Sequence, residues 1–185
     1  MIEDVLAETK EKMAKAVTHT QDEFGGVRTG RANPQILHRI MVNYYGADTP
    51  LQQLASLSVP ETRLLVVSPY DKSSIPAIEK AIRNSDLGLN PSNDGIVIRL
   101  AFPQLTEERR KEMIKLVRHR AEEGRVAVRN VRRHSIDELE LYEDEGEITV
   151  DDLADGRKQV QALTDHYVHE IDSHLAKKEQ ELLEV

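Results

Sequence analysis

Apolar residues recur at three- and four-residue steps through residues 2–29. Ile2, Leu6, Met13, Val17, Phe24 and Val27 form the stripe, with Ala16 and Thr20 filling it. This spacing predicts one amphipathic helix, ended by Gly30 in the position of a C-cap glycine. Asn33-Pro34 then reads as an N-cap and first-turn pair opening a short helix over residues 35–38.

The pattern changes over residues 39–103. Pro50, Pro60, Pro76, Pro91 and Pro103 fall here, between short β-type runs: IMVNYY (40–45), LASLSV (54–59), RLLVVS (63–68) and IVIRLAF (96–102). SIPAIEKAIRNS (74–85) predicts one helix with Pro76 in its first turn, and NPSNDG (90–95) a turn. Together they predict a small β/α/β domain.

Helical spacing returns at Thr106, a good N-cap followed by Glu107 and Glu108 where the helix dipole favours negative charge. Met113, Val117, Ala121, Gly124, Val128, Val131, Ser135, Leu139 and Tyr142 make its stripe. EDEGE (143–147) reads as an acidic turn, and Thr149–Asp152 as a capping box. Val160, Leu163, Tyr167, Ile171, Leu175 and Leu182 mark a third helix. None of the three could bury its apolar face alone. The expected fold is therefore α+β: an elongated three-helix bundle from residues 1–30 and 106–185, with a small β/α/β domain inserted at residues 31–105. Two short crossings join them, and a hinge is expected at Thr29, Gly30 and Ala32 on one side and Pro103, Gln104 and Leu105 on the other.

Composition narrows the chemistry. The chain has 185 residues and no Cys, so disulfides and thiolate-ligated metal are excluded. MIEDVLAETKEKMAK lacks the apolar core of a signal peptide, and no run is long enough to span a bilayer; a cytoplasmic, monomeric protein is expected. Gly25 and Gly30 have the G-x-x-x-x-G spacing of a P-loop, but the stretch follows a helix, Arg31 replaces the lysine and Ala32 the magnesium-binding hydroxyl. His166 and His169 lie three apart with no third ligand at a suitable spacing. No catalytic constellation, metal site or cofactor site is expected.

Charge points elsewhere. The formal net charge is −8, yet residues 109–133 hold ten Lys/Arg against three Glu, leaving −15 on the other 160 residues. Lys111, Arg118, Arg125 and Arg132 are heptad-spaced, and Arg129 precedes Arg132 by three. On a helix these five lie within about 60° of one another, a stripe roughly 30 Å long and roughly 100° around from the apolar face. Such arginines could pair with acids on neighbouring helices, as flanking residues of coiled coils do. The preference for Arg over Lys, and Arg133 beside Arg132, favour bidentate contact with nucleic-acid phosphates. The few aromatics point to recognition of backbone and shape. Two other readings stay open on the residues alone: an adaptor whose stripe pairs with an acidic protein helix, and an enzyme using the Gly25–Gly30 loop.

Several motifs in order resemble the ribosome recycling factor family: VRTGRANP (27–34), YYGADTPL (44–51), QLASLSVPE (53–61), AIRNSDLGLNP (81–91), LTEERRKEM (105–113), RVAVRNVRR (125–133) and KEQELLEV (178–185). The resemblance implies an L-shaped, non-enzymatic translation factor of bacterial type. It implies binding to the post-termination ribosome and, with elongation factor G and GTP, release of subunits, mRNA and deacylated tRNA. Its implied contacts with large-subunit ribosomal RNA map to Arg28, Arg31, Arg129, Arg132 and Arg133; Arg118 and Arg125 join them from the stripe. DELELYEDEGE (137–147) is more acidic than is common in the family, an unfavourable composition for RNA contact.

Overall fold

The computed structural model describes residues 1–184 and divides into two compact units. One comprises Met1–Val27 and Lys111–Leu183, the other Arg28–Arg110 with Glu184. Three long helices build the first: α1 (Ile2–Gly25), α4 (Glu107–Asp144) and α5 (Val150–Leu183). The second holds β1 (Met41–Tyr44), β2 (Ala47–Pro50), the one-turn helix α2 (Leu51–Leu54), β3 (Ala55–Glu61), β4 (Leu64–Pro69), α3 (Ile75–Asn84), β5 (Pro91–Asn93) and β6 (Ile98–Ala101).

In the helical unit, α1 stops four residues before periodicity predicts. The Gly26 and Val27 amides bond back to Asp22 and Phe24, and two consecutive glycines, each costing about 1 kcal/mol in a helix, set the stop. Val27 stays buried although it is no longer helical. The centre of the α1 stripe is Val5, Thr9, Met13, Val17, Thr20 and Phe24, with Ile2 and Leu6 at its border. The hydroxyls of Thr9 and Ser135 meet at 2.6 Å inside the bundle and tie α1 to α4. At Gly124 a Cβ would stand 2.3 Å from Thr20 Oγ1 and 3.2 Å from Ile171 Cδ1; at Gly156 it would stand 3.0 Å from Leu139 Cδ1. Two glycines thus let all three backbones close onto one core.

The α4–α5 turn is built for reversal. Gly146 (φ 75°) sits in the left-handed region. Glu147 bonds back to the Tyr142 carbonyl and Gly146 to that of Glu143, the Schellman pattern. Thr149 Oγ1 accepts from the Asp152 amide at 3.1 Å while Asp152 accepts from the Thr149 amide at 3.0 Å. That is a reciprocal capping box, and it aims α5 back along α4.

The sheet unit holds an antiparallel sheet of order β3-β4-β6-β5 and a separate β1–β2 hairpin. Leu65 faces Leu100 and Val67 faces Ile98 across β4 and β6. All four are fully buried, with Ile75, Ile78 and Ile82 of α3 in the same core. Two strands fall where sequence predicts none. β2 (ADTP) is too polar to show alternation; it pairs with β1 through Tyr45 (φ 51°) and Gly46 (φ 83°), the paired positive φ of a type I′ turn. β5 lies inside the expected turn 90–95, with Pro91 opening an edge strand where a missing N–H is tolerated.

Candidate nucleic-acid interface

The heptad cations of α4 meet a second heptad on α5. Arg118 donates from Nε to Glu179. Arg125 is held 2.7 Å from Asp172, and its side chain is only 20% exposed. One step of seven up α4 matches one step of seven down α5, the register of antiparallel neighbours. The next step sets Arg132 against Asp165, but here a neutral amide intervenes: Arg132 Nη1 donates to Gln161 Oε1 at 3.2 Å, and Gln161 Nε2 donates to Asp165 Oδ1 at 2.8 Å.

Glu122 sits between two cations of its own helix, 2.9 Å from Arg125 and 3.1 Å from Arg129. Hydrogen bonds from Arg125 and Arg129 hold its carboxyl below the usual glutamate range. Partial burial works against the Arg125 charge, but the bonds to Asp172 and Glu122 outweigh it and push the guanidinium pKa up. Arg118 is shifted the same way by Glu179.

The stripe therefore has two ends of different character. At Arg118 and Arg125 every cation has a carboxylate. From Arg129 onward the balance tips: Arg129 shares Glu122 with Arg125, Arg132 bonds to an amide and has no ion pair among the described residues, and Arg133 is exposed with no ion pair or hydrogen bond among them. The acidic partners Asp165, Asp172 and Glu179 were legible in principle, because they too are heptad-spaced; their role depends on a register no single helix reveals.

The remaining candidate residues lie in the sheet unit. Arg28 donates to the Asp86 carbonyl at 3.2 Å, and its guanidinium lies over Gly88. Arg31 pairs with Glu184 at 2.6 Å. Thr29 is buried, and Gly30 takes φ 80°. Ala32 bonds to the Thr62 carbonyl and Phe102 to that of Arg63, tying both incoming strands to one turn. Pro103, Gln104 and Leu105 follow with no regular structure. The Gly25–Gly30 stretch forms no phosphate cradle: Gly25 is helical, and the next two amides are spent on α1 carbonyls. Among the described residues no group of three or more His, Asp or Glu is placed to hold a metal ion, and no helix is long and apolar enough to cross a membrane.

Relatives share this architecture over the whole chain. The family model of ribosome recycling factor matches residues 20–183. The chain is 56% identical over all 185 residues to the ribosome-recycling factor of Thermobifida fusca and 55% to that of Bacillus subtilis, covering both proteins entirely. A solution structure of a ribosome recycling factor superposes with a TM-score of 0.81 at 42% identity, covering 100% of this chain and 98% of that one. A second solved structure places the T. thermophilus ribosome recycling factor and E. coli elongation factor G on the E. coli post-termination complex. Its recycling-factor chain matches with a TM-score of 0.72 at 44% identity over 99% of each chain. With a family match across both units and full-length identity above one half, this chain belongs to the ribosome recycling factor family.

Proposed function

We propose that this protein binds the post-termination ribosome through large-subunit ribosomal RNA and, with elongation factor G and GTP, promotes separation into subunits and release of mRNA and deacylated tRNA. It acts as a binding factor in the cytoplasm, with no catalytic residue of its own; GTP hydrolysis belongs to the partner. The observation that carries this reading is the cationic end of α4, where Arg129, Arg132 and Arg133 outnumber their carboxylate partners on an otherwise acidic chain. Guanidinium groups short of carboxylate partners suit phosphate oxygens. The position of a relative on the post-termination complex, together with elongation factor G, supports the choice of partner.

Within the proposed interface, Arg129, Arg132 and Arg133 make the main phosphate contacts. Arg118 and Arg125 contribute less, because binding RNA through them means sharing guanidinium groups already bonded to α5. Arg28 and Arg31 are proposed as a further contact. Thr29, Gly30, Ala32 and Pro103–Leu105 are proposed as the hinge, with Gly30 and Pro103 as its most distinctive residues.

The function is tested by mixing the protein with post-termination ribosomes, elongation factor G and GTP and following light scattering as subunits separate. Acceleration over elongation factor G alone is expected; no gain rules the function out. The adaptor alternative predicts binding to an acidic protein helix, but α5 already fills that role at Arg118 and Arg125.

A further inference from the structure

We infer that Gln161, backed by Asp165, is a positioning residue that keeps Arg132 oriented but uncompensated for phosphate. The inference rests on the proposed RNA reading of Arg132.

Three rungs of the α4–α5 ladder follow one register, and only one lacks a direct ion pair. Arg118 and Arg125 meet Glu179 and Asp172 without an intermediary. At the third rung Asp165 is available, yet its carboxylate is engaged by Gln161 one turn earlier on the same helix. An arginine only donates and a carboxylate only accepts, so a side chain linking them must do both. The amide does: its oxygen takes the Arg132 N–H and its nitrogen donates to Asp165. The two partners settle which way the amide points, since the flipped orientation would face donor to donor and oxygen to oxygen.

The consequences for Arg132 are two. Its guanidinium is held in one direction without a facing negative charge, and Asp165 is drawn away from it. A guanidinium held this way loses less freedom on meeting a phosphate and does not have to leave a carboxylate first. In an ordinary coiled-coil flank the heptad acid pairs directly with its arginine, as at the other two rungs; here Gln161 stands between Arg132 and Asp165. The third rung is the exception, and it falls at the end of α4 that carries Arg129 and Arg133.

The test is cosedimentation of the full chain with large ribosomal subunits across a salt series. Gln161→Glu gives Arg132 a direct carboxylate and is expected to weaken binding by up to about fivefold at low salt. The slope of log K against log salt should shrink by something approaching one phosphate contact, roughly 0.9. Gln159→Glu adds the same charge on the opposite side of α5, two residues away, and should bind as the parent does. Gln161→Ala removes the amide and releases Asp165 to pair with Arg132, so it should weaken binding by roughly twofold and lower the slope in the same direction as Gln161→Glu, by less. Adding Gln161→Glu to Arg132→Gln should cost nothing further, because the effect acts through that arginine.

A full effect of Arg132→Gln with none from Gln161→Glu would overturn the positioning role and leave the RNA reading standing. Equal weakening by Gln159→Glu and Gln161→Glu would reduce the effect to bulk charge and overturn it too. Parent-like binding by Arg132→Gln would remove the phosphate contact itself, and the inference with it. Melting temperatures check that all variants fold.

Discussion

Arg118 and Arg132 belong to one heptad series on one helix, yet they sit in different chemistry. Arg118 has Glu179 for a partner, and Arg125, one step on, is four-fifths covered and bonded to Asp172 and Glu122. Arg132 has a neutral amide, and Arg133 nothing among the described residues. Identical residue types at identical spacing thus divide into cations that hold a helix pair together and cations left for something else. Spacing places a side chain on a face; what stands opposite decides its use.

Four experiments can break or sharpen this contrast. The largest effect is expected at Gly124, which lies between the two ends and lets α1 and α5 close on α4. Gly124→Val should cost about 2–3 kcal/mol in denaturant unfolding through overpacking against Thr20 and Ile171. A stability equal to the parent's would show that this close approach is dispensable. Next, Arg132→Glu should weaken cosedimentation with large ribosomal subunits by roughly 30-fold and flatten its salt dependence, whereas Arg118→Glu should lose only a few-fold. Equal losses would erase the distinction between the two ends.

Smaller effects follow. Asp172→Asn should lower stability by about 1 kcal/mol, and less at high salt, since Asp172 is half exposed, solvent screens the pair, and Arg125 keeps Glu122. RNA affinity should be unchanged or slightly improved as Arg125 is released; a clear loss of affinity would contradict the structural role given to that pair. Smallest is the pH response of Glu122. Its folded pKa lies below the ordinary 4.5, so its contribution is fully present above that value and fades as pH falls through the lowered one. Glu122→Gln should therefore show a shallower acid limb in stability against pH, with little change near neutrality.

Much of this is readable from residues alone. The stripes of α1, α4 and α5 follow 3.6-residue periodicity, and Gly124, lying on its stripe, admits the close neighbour that its place there predicts. Thr149–Asp152 forms the reciprocal cap its residue types suggest. The misses share a cause: local chemistry too weak to announce itself. The β1–β2 hairpin turns on Tyr45-Gly46 rather than Asn-Gly, and β5 is three residues long and begins with proline. Thr9 and Thr164 are polar yet buried, because each hydroxyl lies within bonding distance of the carbonyl one turn back.

Sequence by itself determined the three long helices and α3, the strands with β-type runs, the family, and the presence of a cationic stripe on an acidic chain. These are local or additive properties: periodicity, propensity and charge count need no neighbour. Only the tertiary structure decided which arginines are compensated. Arg118 and Glu179, Arg125 and Asp172, and Arg132 and Gln161 are distant in the chain and meet only once the Gly146 turn and the Thr149 cap fix the antiparallel register. Ion pairing falls off within a few ångströms. A shift of one residue in that register would reassign every partner, which no reading of α4 alone could anticipate.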